Sequence, residues 1–267
     1  MRFGIMALIY TMSDIHGHLD ILKSTLENVD LKENDNKLIL LGDYIDRGDK
    51  SCETLYFIKE LSEKFPNQVI PLLGNHEEMF LDDLDAMYPI GDFSEIKKYI
   101  TEGEYKAILS KVDKELEELL RQMIIYRYVT NLIKIKHKNL ITWLKSLPYY
   151  YETENQIFVH AGINEEYGMN WKLWTSEETF LWNYAPTKGK FYKDIISGHT
   201  HTSEISEDKS YHKVFWDGEN HFYIDGATII SKNIPLLKYD TVKKRYYSFE
   251  KIIDEKGVVS FVEYEIN

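Results

Sequence analysis

The sequence predicts an α/β fold built on a sheet with parallel strands, and two observations carry that prediction. Short aliphatic and β-branched runs alternate along the chain with segments of helical periodicity. Each run also stops abruptly in polar, metal-capable residues beside a glycine. Strand–helix alternation implies parallel pairing with right-handed crossovers. Ligands of such sheets bind outside the carboxyl ends of the strands, which is where the polar clusters fall.

The elements follow in order. Ile5–Met12 leads into Ser13-Asp14-Ile15-His16-Gly17. This run is too short to span a bilayer and lacks a small-residue cleavage site, so a buried strand is the better reading. Leu19–Val29 is helical in pattern, Lys37–Leu41 enters Gly42-Asp43, and Thr54–Phe65 sets Leu55, Ile58, Leu61 and Phe65 on one helical face. Gln68–Leu73 runs into Gly74-Asn75-His76-Glu77, Ile157–Val159 into His160-Ala161-Gly162, and Asp194–Ile196 into Ser197-Gly198-His199-Thr200-His201. Continuous apolar runs of this kind read as strands buried on both faces.

Residues about 80 to 147 differ. Ser94–Leu147 is rich in Lys, Glu, Leu and Ile, with helical spacing in Leu116, Leu119, Leu120, Met123 and Ile124. A helical insertion covering the strand ends and an ordinary packing element fit it equally. After His201, the segments His221–Ile224, Leu236–Tyr239 and Val258–Tyr264 alternate like antiparallel strands of a second sheet or a sheet edge. With no repeat, low-complexity tract or Pro/Gly-rich linker, the 267 residues are expected to form a single domain, 1–267, carrying the insertion.

Charge narrows the partners. With 44 acidic against 32 basic residues, the formal charge of −12 argues against non-specific binding to nucleic acid or an anionic membrane. Two bound divalent cations would offset part of it. Cys52 is the only cysteine, so no intramolecular disulfide forms, which suits a reducing cytoplasm. No run approaches the ~18 apolar residues of a membrane helix. A soluble, cytoplasmic protein is expected; the oligomeric state stays open.

The clusters supply Asp14, His16, Asp43, Asn75, His160, His199 and His201. Carboxylate, imidazole and amide donors without thiolate suit manganese, iron, zinc or similar ions. Two cations ~3.5–4 Å apart form the usual clamp for in-line displacement at phosphorus. Asp43, on a central strand end, is the expected bridge. Asp14 and His16 would reach one ion, and Asn75, His160 and His199 the other. Each residue alone has a dull explanation as turn, cap or surface group, but their shared placement after strands makes a structural role for all of them improbable.

The motifs Asp14-X-His16-Gly17, Gly42-Asp43-X-X-Asp46-Arg47-Gly48, Gly74-Asn75-His76-Glu77, His160-Ala161-Gly162 and Gly198-His199-X-His201 closely resemble the calcineurin-like metallophosphoesterase superfamily. The second and third strings, with Tyr223-Ile224-Asp225-Gly226-Ala227 and Trp143-Leu144-X-X-Leu147-Pro148, look like its phosphoprotein phosphatase branch, which includes bacterial and phage serine/threonine phosphatases and symmetrical diadenosine tetraphosphatases. The resemblance covers most of residues 8–240 outside the insertion. It implies a four-layer α/β (α+β) sandwich, two facing mixed β-sheets flanked by helices, with two divalent metals at one end: manganese first, with iron, zinc, nickel or cobalt as alternatives. It implies His76 as general acid, oriented and charged by Asp46, and Arg47 as a clamp on phosphate oxygens. Glu77 is the weaker candidate, with loop anchoring as its alternative role.

Three departures bear on substrate. Asn183 stands where the branch carries a second phosphate-binding arginine, and it is taken here with Arg47 and Asn75 as substrate-binding. The Gly-Gly-X-X-Thr element common after Gly-Asn-His-Glu is not recognisable between Leu81 and Glu104. His201 gives a Gly-His-X-His ending typical of the wider superfamily, where it is a metal ligand. Cys52 lacks a phosphate-cradling loop, so core packing suits it better than nucleophilic attack. Tyr126, Tyr128, Trp143 and Tyr149–Tyr151 could stack on a nucleobase, although packing is the commoner role.

The leading expectation is a phosphomonoesterase of the serine/threonine phosphatase type, in which metal-bound hydroxide attacks a phosphorylated protein or small phosphate ester directly. A dinucleoside polyphosphate hydrolase or phosphodiesterase is the second, favoured by the missing arginine and by His201. A non-catalytic metal-binding module is the third, disfavoured because a scaffold needs no general acid.

Overall fold

The computed structural model describes residues 7–88, 92–253 and 259–266. In chain order the elements are β1 (Leu8–Met12), α1 (Leu19–Leu26), β2 (Lys37–Leu40), α2 (Ser51–Lys64), β3 (Val69–Pro71), α3 (Asn75–Asp85), α4 (Phe93–Lys97), α5 (Glu102–Leu109), α6 (Glu118–Lys136) and α7 (Lys138–Leu144). They continue with β4 (Tyr150–Glu152), β5 (Gln156–Val159), a 3-10 turn (Glu165–Asn170), α8 (Trp171–Trp174), α9 (Glu177–Trp182), β6 (Asp194–His201), α10 (Thr202–Ile205), β7 (Phe215–Trp216), β8 (His221–Asp225), α11 (Thr228–Ser231), β9 (Leu237–Asp240), β10 (Arg245–Ile253) and β11 (Val259–Glu265). Of the expected strands, residues 5, 6 and 258 lie outside the described residues.

The strands form a six-stranded sheet in the order β11-β10-β9-β1-β2-β3 and a five-stranded sheet in the order β4-β5-β6-β8-β7. Both are mixed. Side-chain alternation explains why the runs are apolar throughout. Ile9, Ile39, Phe158 and Ile196 join one apolar cluster shared by the two sheets. Their neighbours Tyr10, Leu38, Leu40, Ile157 and Ile195 turn the other way, into a cluster containing Leu22, Leu55 and Ile58 of α1 and α2. A strand apolar on both faces is covered on both faces, and the result is the expected sandwich with helices outside.

Several sequence expectations need correction. β8 was expected as an antiparallel strand; it pairs parallel to β6 and antiparallel only to β7. The strand read as ending at Ile196 continues through the Gly-His-X-His string as β6, with a register shift between Ser197 and His201. The shift lets one strand carry both histidines without burying them in the ladder. In α6, Leu119 and Leu120 were placed on the apolar face but are exposed, and Ile125, Tyr126, Val129 and Ile133 are buried instead. Short-range spacing matched a helix but could not say which stripe faces α3 and α5.

The loops at the strand ends are laced together by backbone bonds. Asp14 N–H donates to Gly42 O at 3.2 Å, His16 N–H to Asp43 O at 2.9 Å and Gly17 N–H to Tyr44 O at 2.7 Å. Gly42 has φ +108°, and a Cβ there would stand 2.5 Å from both Cα and N of Gly74. Gly42→Ala is therefore expected to destabilise the chain by more than ~2 kcal/mol, read from the urea unfolding midpoint.

Candidate metal centre and active site

All five polar clusters converge at one end of the sandwich. Six of the ten non-glycine residues with positive φ among the described residues are Asp14 (53°), His16 (48°), Asp43 (56°), Asp46 (67°), Arg47 (64°) and His199 (63°). Left-handed backbone at a residue with a Cβ is costly and persists where surrounding structure over-determines it. Here it is concentrated on residues of the clusters that converge at the strand ends.

Glu77, at the start of α3, holds the arrangement. Fully buried, its carboxylate accepts from Asp43 N–H (2.8 Å), Tyr44 N–H (2.8 Å), Ile45 N–H (3.3 Å) and Gly74 N–H (3.1 Å). Burial and nearby Asp43 push its carboxyl up, while the Tyr44 and Asp43 N–H donors pull the other way and favour the ionised form. The loop-anchoring role considered for Glu77 is the one its contacts describe.

Asp43 lies between two groups of donors, His16 with His76 and His160 with His199, each able with Asp43 to hold an ion. His16 Nδ1 donates to Ile45 O at 2.8 Å and His160 Nδ1 to Leu41 O at 3.0 Å. A carbonyl only accepts, so each ring turns an Nε2 lone pair inward. His160 Nε2 then faces Asn75 Oδ1 at 2.8 Å and Asp43 Oδ1 at 3.4 Å. These are three acceptors converging on one point, an arrangement a cation satisfies. His16 Nε2 similarly lies 3.7 Å from Asp43 Oδ2 and 3.9 Å from Asp14 Oδ1. Burial lowers His16 to about 3, keeping its ring neutral as a ligand must be. Half-buried His199 is lowered in the same way to about 3, and its Nε2 makes no hydrogen bond.

The carboxylates point to the same conclusion. Burial, then Asp225 and Asp43, push Asp14 well above the usual range. Burial works in the same direction on Asp43, but the imidazoles of His160, His76 and His16 outweigh it and hold Asp43 low. Gathering buried carboxylates costs several kcal/mol per ion in roughly this setting unless cations compensate. The donor set thus fits divalent cations without requiring thiolate.

Beside this cluster sits a proton donor. His76 Nδ1–H donates to Asp46 Oδ2 at 2.6 Å. Burial alone would lower His76, but the Asp46 hydrogen bond and the Asp43 charge raise it to about 9. Arg47 donates through Nη1 to His16 Nε2 at 2.8 Å and places Nη2 3.3 Å from His76 Nε2. With His76 protonated, that second contact joins two donors and is not a hydrogen bond. The two groups instead converge on a place for anionic oxygen.

Two sequence candidates stand apart. His201 belongs to neither donor group; its Nδ1 lies 3.3 Å from Glu204 and its Nε2 3.6 Å from Asp225 Oδ2. Asn183 packs its amide against Gly162, where a Cβ would approach Nδ2 to 2.5 Å, and its Oδ1 accepts from Ala185 N–H at 3.3 Å. Of the aromatic candidates, Tyr126 is buried and donates to Asp83, while Tyr149 and Tyr150 stack on Phe180, so these pack the interior. Tyr184, not singled out, is exposed with its ring 4.3 Å from that of His199. Burial raises Cys52 to about 11, which suits packing and not attack.

Asp225 was quoted in a motif but given no role. It is fully buried against Asp14, accepts from Ala227 N–H at 2.8 Å, and makes no hydrogen bond at Oδ2, which faces His201 Nε2 at 3.6 Å. The signal was present: Ile224-Asp225-Gly226 is another strand ending in an acid beside glycine. Glu95 and Lys98 of the insertion were also missed. Lys98 Nζ donates to Gly48 O at 2.8 Å and to Glu95 at 2.6 Å, and nothing in the local sequence indicates this.

The fold and this constellation define a metallophosphoesterase, and the chain belongs to the calcineurin-like phosphoesterase family, whose model matches residues 7–203. Among curated relatives it is 26% identical to the symmetrical bis(5'-nucleosyl)-tetraphosphatase of Nitrosococcus oceani over 191 residues, 71% of this chain and 54% of that protein. The protein of the same name from Vibrio campbellii is 28% identical over 155 residues, covering 58% of this chain and 44% of its own. The chain thus spans about half the length of these relatives. Likeness in fold alone extends to a putative diadenosine tetraphosphatase (TM-score 0.55, 14% identity, 97% and 95% covered). It extends also to a cold-active protein-tyrosine phosphatase of a Shewanella species (TM-score 0.57, 17% identity, 97% and 80% covered).

Glu77→Gln would turn an amide N–H₂ against backbone donors. It is expected to cost ~2–4 kcal/mol in denaturant unfolding and to lower retained metal measured by elemental analysis after dialysis.

Proposed function

We propose that this chain is a dimetal phosphoesterase that hydrolyses phosphate monoesters by direct attack of water, in the manner of a serine/threonine protein phosphatase. The observation that carries the reading is Asp43, shared by two histidine groups, with the His76–Asp46 pair beside it. Asp14, His16 and Asp43 would hold one cation, and Asp43, Asn75, His160 and His199 the other. His201, bonded toward Asp225 and Glu204, is the lesser candidate. When bound, two divalent ions such as manganese would supply charge neutralisation at phosphoryl oxygens and a water acidified to near neutral pKa.

The chain's own residues do the rest. Arg47 would hold two phosphate oxygens through its planar fork. Asp46 fixes the His76 ring through Nδ1, so its Nε2 proton faces the bond to be broken. That proton passes to the leaving oxygen as the P–O bond breaks, yielding an alcohol and inorganic phosphate. No side chain needs to form a covalent phosphoenzyme. Asn183, expected to touch substrate, would contribute only if its amide turned away from Ala185.

A second reading, symmetrical cleavage of a dinucleoside tetraphosphate, is favoured by the names of the curated relatives. Phosphorylated protein or a small phosphate ester remains the proposed substrate class, in the cytoplasm.

The test is hydrolysis of p-nitrophenyl phosphate against its bis-ester, metal-stripped and with manganese restored. Manganese-dependent monoester cleavage should fall at least ~10³-fold in Asp43→Asn; no cleavage of either ester by the loaded protein would sink the reading. His76→Ala should lower kcat ~10²–10³-fold on phosphoserine peptide with metal content unchanged. It should cost far less on p-nitrophenyl phosphate, whose leaving group needs no proton.

A further inference from the structure

Resting on that reading, a cavity beside the His76–Asp46 pair bears on where the leaving group goes. A cavity of about 250 Å³ is lined by Asp46, Arg47 and His76 together with Met79, Phe80 and Asp83 of α3, and Asp92, Glu95 and Ile96 of the insertion. None of Asp43, Asn75, His160 or His199 lines it. It reaches the His76–Asp46 pair and Arg47 without being lined by the shared carboxylate, whose Oδ2 lies 3.8 Å from His76 Nε2. An in-line displacement sends its leaving group opposite the attacking water, and the group protonated by His76 must lie beside His76.

The cavity's charge is lopsided. Arg47 and His76 line it, and they would be occupied by the phosphoryl oxygens and by Asp46. Around them stand the carboxylates of Asp46, Asp83, Asp92 and Glu95, with the Lys98 ammonium on Glu95 and the Tyr126 hydroxyl on Asp83, so four acids face three cations. Asp92 is exposed and caps α4 by accepting from Ser94 N–H at 2.8 Å. Glu95 is paired with Lys98 at 2.6 Å and stands against Asp46. Met79, Phe80 and Ile96 supply apolar wall. The volume lies below the roughly 300–1,000 Å³ of pockets that engulf a drug-sized ligand, so it suits a side chain better than a nucleotide.

We propose that this cavity is the leaving-group subsite, and that Asp92 and Glu95 make it select a phosphorylated serine or threonine flanked by a lysine or arginine over a nucleoside polyphosphate. In the step it serves, water oxygen bonds to phosphorus and the P–O bond to the seryl oxygen breaks. The Nε2 proton of His76 goes to that oxygen, and inorganic phosphate departs with the proton left by water. A basic neighbour is attracted by the carboxylates, whereas a nucleoside diphosphate leaving group would bring several negative charges against them.

The experiment compares kcat/KM for a lysine-flanked phosphoserine peptide, its glutamate-flanked counterpart and diadenosine tetraphosphate, using manganese-loaded wild type and the double variant Asp92→Asn/Glu95→Gln. Asn retains the helix cap, and circular dichroism checks the fold. Wild type should prefer the lysine peptide at least ~10-fold over the glutamate peptide. The preference should shrink toward unity in the double variant and at ~0.5 M salt. Fluorescence anisotropy should show the dephosphorylated lysine peptide binding several-fold more weakly to the variant. Equal turnover of the two peptides, an unchanged ratio in the variant, or preference for diadenosine tetraphosphate would overturn the inference. Hydrolysis of p-nitrophenyl phosphate in the same samples separates the failures. If it persists, only the subsite assignment falls; if no ester is cleaved, the phosphoesterase reading falls and takes the subsite with it.

Discussion

The buried carboxylate of Glu77 is the constraint on which the rest of the site depends. It ties the loop after β2 to the loop before α3 through four backbone N–H donors. The loop after β2 carries Asp43, Asp46 and Arg47, and the first turn of α3 carries Asn75 and His76. One side chain thereby sets the position of Asp43 relative to the hydrogen-bonded His76–Asp46 pair. A neutral or shorter residue could not satisfy those donors, because only an ionised carboxylate offers acceptors alone.

The backbone around this anchor is strained in a directed way. Left-handed conformations at Asp14, His16, Asp43 and His199 turn their side chains back over the strand ends toward one another. Glycines make the close approach feasible. A Cβ at Gly198 would come within 2.1 Å of Ser13 Oγ and 2.3 Å of Asp14 Oδ2. Strain and crowded carboxylates are both unfavourable without a bound cation, so stability is traded for a preorganised cluster of donors. The fully buried Asp225 extends that cluster from the second sheet, and links it to His201.

The insertion contributes charge and contact. Lys98 fastens α4 to the loop after Asp43 by bonding Gly48 O, and Glu95 lies against Asp46. Helices distant in sequence from the strand-end motifs thus reach the proton donor's partner directly. Tyr126 of this region fills the interior beneath α3, whereas the exposed ring of Tyr184 stands 4.3 Å from that of His199.

Taken alone, the sequence determined the strand–helix alternation and the order of the polar clusters. Both are local: an apolar run ending in an acid or histidine beside glycine is written within about ten residues, and the sheet rules place such ends on one edge. Apolar residues on both faces of β1 and β2, such as Ile9 and Ile39 on one and Tyr10, Leu38 and Leu40 on the other, even foretold burial between layers. What the chain could not show locally was decided by tertiary pairing. The parallel pairing of β8, the bulge that keeps His199 and His201 in β6, and the exposed Leu119–Leu120 stripe of α6 depend on which element lies alongside. The partners of Glu77, the burial of Asp225 beside Asp14 and the reach of Glu95 and Lys98 to the Asp46 loop were likewise invisible. Each joins groups far apart in sequence, and their energies arise from burial and charge that exist only once the two sheets and the insertion have closed around them.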